Sequence, residues 1–247
     1  MASRAVRRWL PNQHGAWAML VVPFLAGTFL ADPTPWHPLL LAAWLLGYAA
    51  AFHAQQWLRL RRVSRNPRAA GRHTRPAQVF AAALAASAVP LVVHAPWLLL
   101  AAACAAPFLA VNFRYAAVNR ERSPVNGLVA VVPACGMLPV AVLLGGGTLA
   151  EAWRPAVVCL LYFAGTVLYV KTMIRERDSA RYRWASWAYH TVATAAAWAI
   201  SPWTGLFLAV CLLRSVVLPT LGRVRVGVVG ALELCLSLAL LAVLLPA

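Results

Sequence analysis

Acidic residues are scarce in this 247-residue chain, with six Asp and Glu against twenty-two Lys and Arg. Charge of either sign is uncommon: 11% of residues are charged, where a soluble domain carries roughly a quarter. That deficit excludes an ordinary water-soluble enzyme domain, and the shortage of carboxylates excludes a site built on many Asp and Glu ligands. Five cysteines, Cys104, Cys135, Cys159, Cys211 and Cys235, fall inside apolar runs without CxxC or Cys/His spacing. They read as small reduced hydrophobes, so neither a disulfide framework nor a metal site is expected of them.

What the chain has is apolar sequence, 62% of its residues, with a mean hydropathy of +0.72. A hydrocarbon core about 30 Å thick needs about 20 apolar residues per crossing. Apolar runs between polar or Pro/Gly punctuation predict nine spans, near 15–31, 38–58, 77–94, 96–116, 124–146, 154–174, 184–201, 203–222 and 226–246. The expected fold is all-α, a polytopic transmembrane helical bundle forming a single integral membrane domain over 1–247. Spans three and four, and spans seven and eight, are expected to form tight hairpins across Val93–Pro96 and Ser201–Pro202. The basic start followed by an apolar run mimics a signal peptide, but eight further runs make an uncleaved first span the expectation.

The formal net charge of +16 would suggest nucleic acid in a soluble protein. Here the cations sit in short loops, where an anionic lipid surface is the partner they fit, and no nucleic acid is expected. Twenty Lys and Arg fall before span one or after spans two, four, six and eight; Arg154 alone falls on the other side, and Arg214 lies within a span. Short cytoplasmic loops retain cations, so the expected orientation is N-in and C-out.

Polar groups at membrane depth need a partner or a role. Asn12, Gln13 and His14 open the first span beside Gly15 and Trp17, where they either cap the helix or line a cytoplasm-facing pocket. His53 and Gln56 are three apart near the end of span two and share a helix face. Lys171, Arg175 and Asp178 follow an i, i+4, i+7 stripe at the end of span six, with Arg175 placed to pair with Asp178 and Lys171 to meet an anion. Arg120 and Arg122, with Asn112, Asn119 and Asn126 around them, suit phosphate oxygens. For each group the plainer reading is a helix end or a solvated, snorkelling loop. Arg214 lies about 12 Å from the end of span eight and Glu233 about 10 Å along span nine, so the two are expected to pair and to fix helix packing. Tyr189 and His190 read as buried hydrogen-bonding groups.

The segment Pro11-Asn12-Gln13-His14-Gly15-Ala16-Trp17-Ala18-Met19 resembles the YwiC-like family of bacterial membrane proteins, and span number and the Lys171–Asp178 segment fit that resemblance over the whole chain. Nine spans with polar loops after spans two and six are also similar in architecture to the UbiA-type intramembrane prenyltransferases. That second resemblance implies a prenyl diphosphate bound through magnesium by Asp-rich motifs in those two loops. This chain departs from it there: the loop after span two has no Asp or Glu, and the loop after span six has only Glu176 and Asp178. Magnesium prefers carboxylate and phosphate oxygens, so no metal or other cofactor is expected.

Three functions compete. The first is a degenerate prenyltransferase-like scaffold holding an isoprenoid or other anionic lipid directly on cations. The second is a small transporter or permease using His14, His53, His190 and Glu233. The third is a noncatalytic accessory component of a membrane assembly. Polar residues concentrated on one face favour the first.

Overall fold

The computed structural model describes residues 9–11, 14–222 and 224–245, without the side chains of His14 and Pro67. Asn12 and Gln13 therefore lie outside the described residues, as does the side chain of His14. Among the described residues the chain is all-helical. Its elements are α1 (His14–Leu30), α2 (Trp36–Val63), a short α3 (Pro67–Gly71), α4 (Thr74–His94), α5 (Leu98–Ala117), α6 (Pro124–Leu144), α7 (Leu149–Ile174), α8 (Ala180–Ile200), α9 (Pro202–Val217), a 3-10 turn (Leu218–Leu221) and α10 (Val226–Leu244).

The nine long helices match the nine expected runs, but they are not equal as membrane spans. Seven are long and apolar enough to cross a bilayer: α2, α4, α5, α6, α7, α9 with its 3-10 extension, and α10. α1 is apolar but has 17 residues, and α8 carries Arg181 and Arg183 in its first turn. Large apolar side chains stand exposed on the helices, including Val93, Leu100, Leu213 and Val228. So many exposed large apolar side chains on each unit suit lipid around the helices. Exposed Trp153, Trp184 and Trp203 lie near helix starts, where indole rings suit the bilayer interface.

Local chemistry sets the helix ends. α2 runs five residues past its expected end because Arg is a good helix former and Arg61 stacks on Trp57, one turn back, at 4.9 Å. α7 starts at Leu149 rather than 154 because Thr148 and Glu151 form a capping box, in which each side chain accepts from the other's backbone N–H. α5 and α6 both close in Schellman turns. In the first, Asn119 takes φ 55°, its N–H donates to Ala116 O, and Arg120 N–H donates to Tyr115 O. In the second, Gly146 takes φ 83° and Gly147 N–H donates to Val142 O. Ser179 and Ser201 cap α8 and α9.

The chain divides into two compact units. Unit 1 comprises residues 1–14 and 33–133; unit 2 comprises 15–32 and 134–247. In unit 1, α4 packs chiefly on α2, and Leu84 reaches the bare backbone of Gly47. The expected hairpin of the third and fourth runs has a tight connection, but α4 spends its face on α2 and touches α5 little. In unit 2, α8 and α9 do form the expected hairpin, with Gly205 so close to Trp198 that a Cβ there would lie 2.2 Å from the ring. α7 lies against α8 and α10 and supplies the buried Tyr162, Phe163, Tyr169 and Met173. α1 meets α6 through Gly27, whose missing side chain lets the backbone approach Leu138 O and Ala141 Cβ.

Candidate functional site

Unit 1 gathers its polar groups where α2 ends. His53 is buried, and its Nε2–H donates to Trp9 O at 2.8 Å, which leaves Nδ1 as the acceptor in the neutral ring. His73, in the turn ahead of α4, donates Nδ1–H to that atom across 2.8 Å. Phe80 stacks on His53 with ring centroids 5.7 Å apart, and Phe52 and Trp9 close the cluster edge-on. Gln56, one turn beyond His53, is half-buried and makes no hydrogen bond within this cluster.

Four residues further along α2, Arg59 donates from Nη1 to Glu121 Oε1 at 2.6 Å. The α5–α6 connection that carries Glu121 is fixed from inside. Asn126 donates to Glu121 O at 2.8 Å, and Asn112 donates to Asn126 Oδ1 at 2.7 Å. The amides expected to meet phosphate are thus used in shaping this turn, while Arg120 and Arg122 beside it are exposed. Between them, α2 and α4 are joined by an ordered connection. Asn66 caps α3 by accepting from Arg68 N–H, Ala70 is buried beneath, and Arg65, Arg68, Arg72 and Arg75 are exposed.

In unit 2 the Lys171–Asp178 segment departs from the expected stripe. α7 ends at Ile174, Arg175 is its C-cap, and Asp178 lies beyond the helix, exposed and not paired with Arg175. An i, i+4, i+7 stripe needs a continuing helix, whereas the chain turns here so that α8 can begin at Ala180. Arg177 donates to Met173 O at 2.9 Å and Arg183 to Arg177 O at 2.9 Å, so two of the arginines serve the carbonyls of the turn. Lys171 is half-buried and Arg175 exposed.

The deepest polar group of unit 2 is the expected ion pair. Arg214 Nη1 donates to Glu233 Oε1, with both side chains almost wholly buried. Thr166 donates to Glu233 Oε2 at 2.9 Å, and Ser237 and Tyr162 donate to Glu233 O at 2.7 and 3.2 Å. The Tyr169 ring lies 4.0 Å from the guanidinium carbon. His190 donates Nδ1–H to Ser186 O at 2.7 Å and turns Nε2 toward Gly165, while Tyr189 donates to Leu161 O. Both residues hydrogen-bond as expected, His190 buried and Tyr189 half-buried.

Sequence reading missed His73, the Trp9 carbonyl, the Arg59–Glu121 pair and the Thr166–Ser237 shell. Only His73 carried a signal, as the one ring among the arginines after span two. His37 was passed over too: it is buried on the other side of unit 1, where it accepts from Thr34 N–H at 2.9 Å. The carboxylates that a prenyl-diphosphate magnesium site would need do not fit here either. Unit 1 has one, Glu121, and Arg59 holds it.

These features define a multi-pass helical membrane protein, with polar clusters at helix ends in each unit and a buried charged pair within unit 2. The YwiC-like protein family model matches residues 10–142, and the chain belongs to that family. It is 31% identical to "Uncharacterized protein YwiC" of Bacillus subtilis (strain 168) over 182 residues, 73% of each chain. It is 29% identical to an "Uncharacterized protein" of Haemophilus influenzae over 96% of this chain and 98% of that one. No solved structure matches.

Proposed function

We propose that this protein binds a phosphate-bearing anionic lipid, an isoprenoid or a phospholipid, at the arginine-rich face of unit 1. It would do so as a metal-free counterpart of the UbiA-type scaffold, N-in and C-out in the bacterial cytoplasmic membrane. One observation carries the reading. Residues 33–133 hold ten arginines and one carboxylate, and that carboxylate is already paired with Arg59. Arg65, Arg68 and Arg72 sit on an ordered connection capped by Asn66, so its backbone ordering is spent before a ligand arrives. Each contributes about 1 kcal/mol of attraction to an anionic surface, and guanidinium forks grip phosphate oxygens in pairs.

Native mass spectrometry of the purified protein with phosphatidylglycerol tests this. The wild type is expected to retain the lipid, and the triple variant Arg65→Gln, Arg68→Gln, Arg72→Gln to lose it by about tenfold or more in affinity. Equal retention by both would refute the site. A transport function is the second reading, favoured by the charged pair inside unit 2, since ionisable residues at membrane depth often lie on substrate paths.

A further inference from the structure

The interior of unit 2 contains more hydrogen-bonding capacity than its own residues use. Arg214 is 5% exposed, and Glu233 takes only Nη1. The Nε–H and Nη2–H groups are buried and meet no acceptor among the described residues. These two nitrogens lie on one edge of the guanidinium, the planar fork that grips two oxygens of a carboxylate or phosphate side by side. Two more buried polar atoms nearby lack a partner, Tyr169 OH and His190 Nε2. Tyr169 is on α7 and His190 on α8, and both meet the stretch of α7 that contacts the pair. Tyr169 stacks on the Arg214 guanidinium, and His190 Nε2 packs on Gly165, next to the Thr166 that holds Glu233.

A purely structural ion pair has no need of this arrangement. Leaving a buried donor unsatisfied costs about 1–3 kcal/mol, more when it is charged, and native interiors contain few such groups. On the carboxylate side each oxygen has a partner, Arg214 on Oε1 and Thr166 on Oε2, and Tyr162 and Ser237 hold the backbone carbonyl of Glu233. The guanidinium side is open on one whole edge. We infer that the Nε/Nη2 edge of Arg214 is a buried oxyanion-binding site, in which Glu233 holds the cation in place and a ligand carboxylate or phosphate takes the free fork. His190 Nε2, an acceptor because Nδ1 carries the proton, suits a hydroxyl on the same ligand. All four atoms are shielded, so the ligand enters by a local opening and binds slowly.

The oxyanion could be a free anion or a lipid headgroup, and two probes separate them. Protein in phosphatidylcholine nanodiscs is titrated with radiolabelled inorganic phosphate, and a parallel set contains phosphatidic acid. Saturable binding of phosphate assigns a free anion; retention of phosphatidic acid alone assigns a headgroup. In either case Arg214→Lys, which keeps the charge for Glu233 but has no fork, should weaken binding at least about tenfold while its unfolding midpoint stays near that of the wild type. Glu233→Gln removes the competing negative charge while its amide oxygen can still accept from Arg214 Nη1, and should tighten binding severalfold, a change opposite in sign to that of the lysine variant. The Arg65, Arg68 and Arg72 triple variant should retain this binding, which separates the site from the surface one. Binding of neither probe, equal binding by Arg214→Lys, or unchanged affinity in Glu233→Gln overturns the inference.

Discussion

Replacing Glu233 by Leu should destabilise the protein more than replacing Arg214 by Leu, although the two form one ion pair. The side chains are 4% and 9% exposed, so either single change strands a charge away from water, a loss of about 3–5 kcal/mol for a buried pair. The two survivors differ in their recourse. Glu233 left alone keeps the Thr166 hydroxyl on Oε2 and can take up a proton. Arg214 left alone keeps the Tyr169 face, has no acceptor for its N–H groups among the described residues, and cannot shed its proton. Arg214→Leu should therefore fall near about 3 kcal/mol and Glu233→Leu near about 5. The double variant strands no charge and should lie within about 1 kcal/mol of the wild type, far from the sum of the singles. Reversible unfolding in mixed micelles, followed by fluorescence of the chain's eleven tryptophans, measures all four proteins. Additive losses in the double variant, or a larger loss for Arg214→Leu, would refute the assignment of the pair as a mutually neutralised, desolvated unit.

Three further outcomes follow from individual contacts. Gly27→Ala places a Cβ 2.2 Å from Leu138 O and 2.9 Å from Ala141 Cβ; backbone cannot yield as a side chain does, so the midpoint should fall by the equivalent of about 1–3 kcal/mol. Thr148→Ala removes half of the capping box on α7 and should cost about 1 kcal/mol in the same assay, with Thr148→Ser restoring it. A phosphatase reporter active only outside the cytoplasm should stay silent when inserted after Arg65 and become active when inserted at Gly146; the reverse pattern would overturn the N-in orientation.

Much of this protein was legible along the chain because the bilayer imposes a one-dimensional rule. Each crossing needs a continuous apolar run, and each run appeared as a long helix. The rule fails where charge or length is marginal: α8 has two arginines in its first turn, α1 has 17 residues, and seven helices meet the requirement outright. The Arg214–Glu233 pair was also predictable, since two isolated charges on consecutive antiparallel runs at matched depth have few alternatives. The stripe from Lys171 to Asp178 was misread because periodicity says nothing about where a helix stops, and the chain turns after Ile174.

The sequence by itself determined the class of protein, the family and, among the described residues, the number of long helices, because burial in lipid acts on local segments. Tertiary structure alone decided which polar groups meet. His53 lies 20 residues from His73 and 44 from Trp9, Arg59 lies 62 from Glu121, and Thr166 lies 67 from Glu233. Contacts at such separations depend on which helix faces pack together. Small residues such as Gly47 and Gly165, which permit close approach without specifying the partner, fix that packing only in three dimensions.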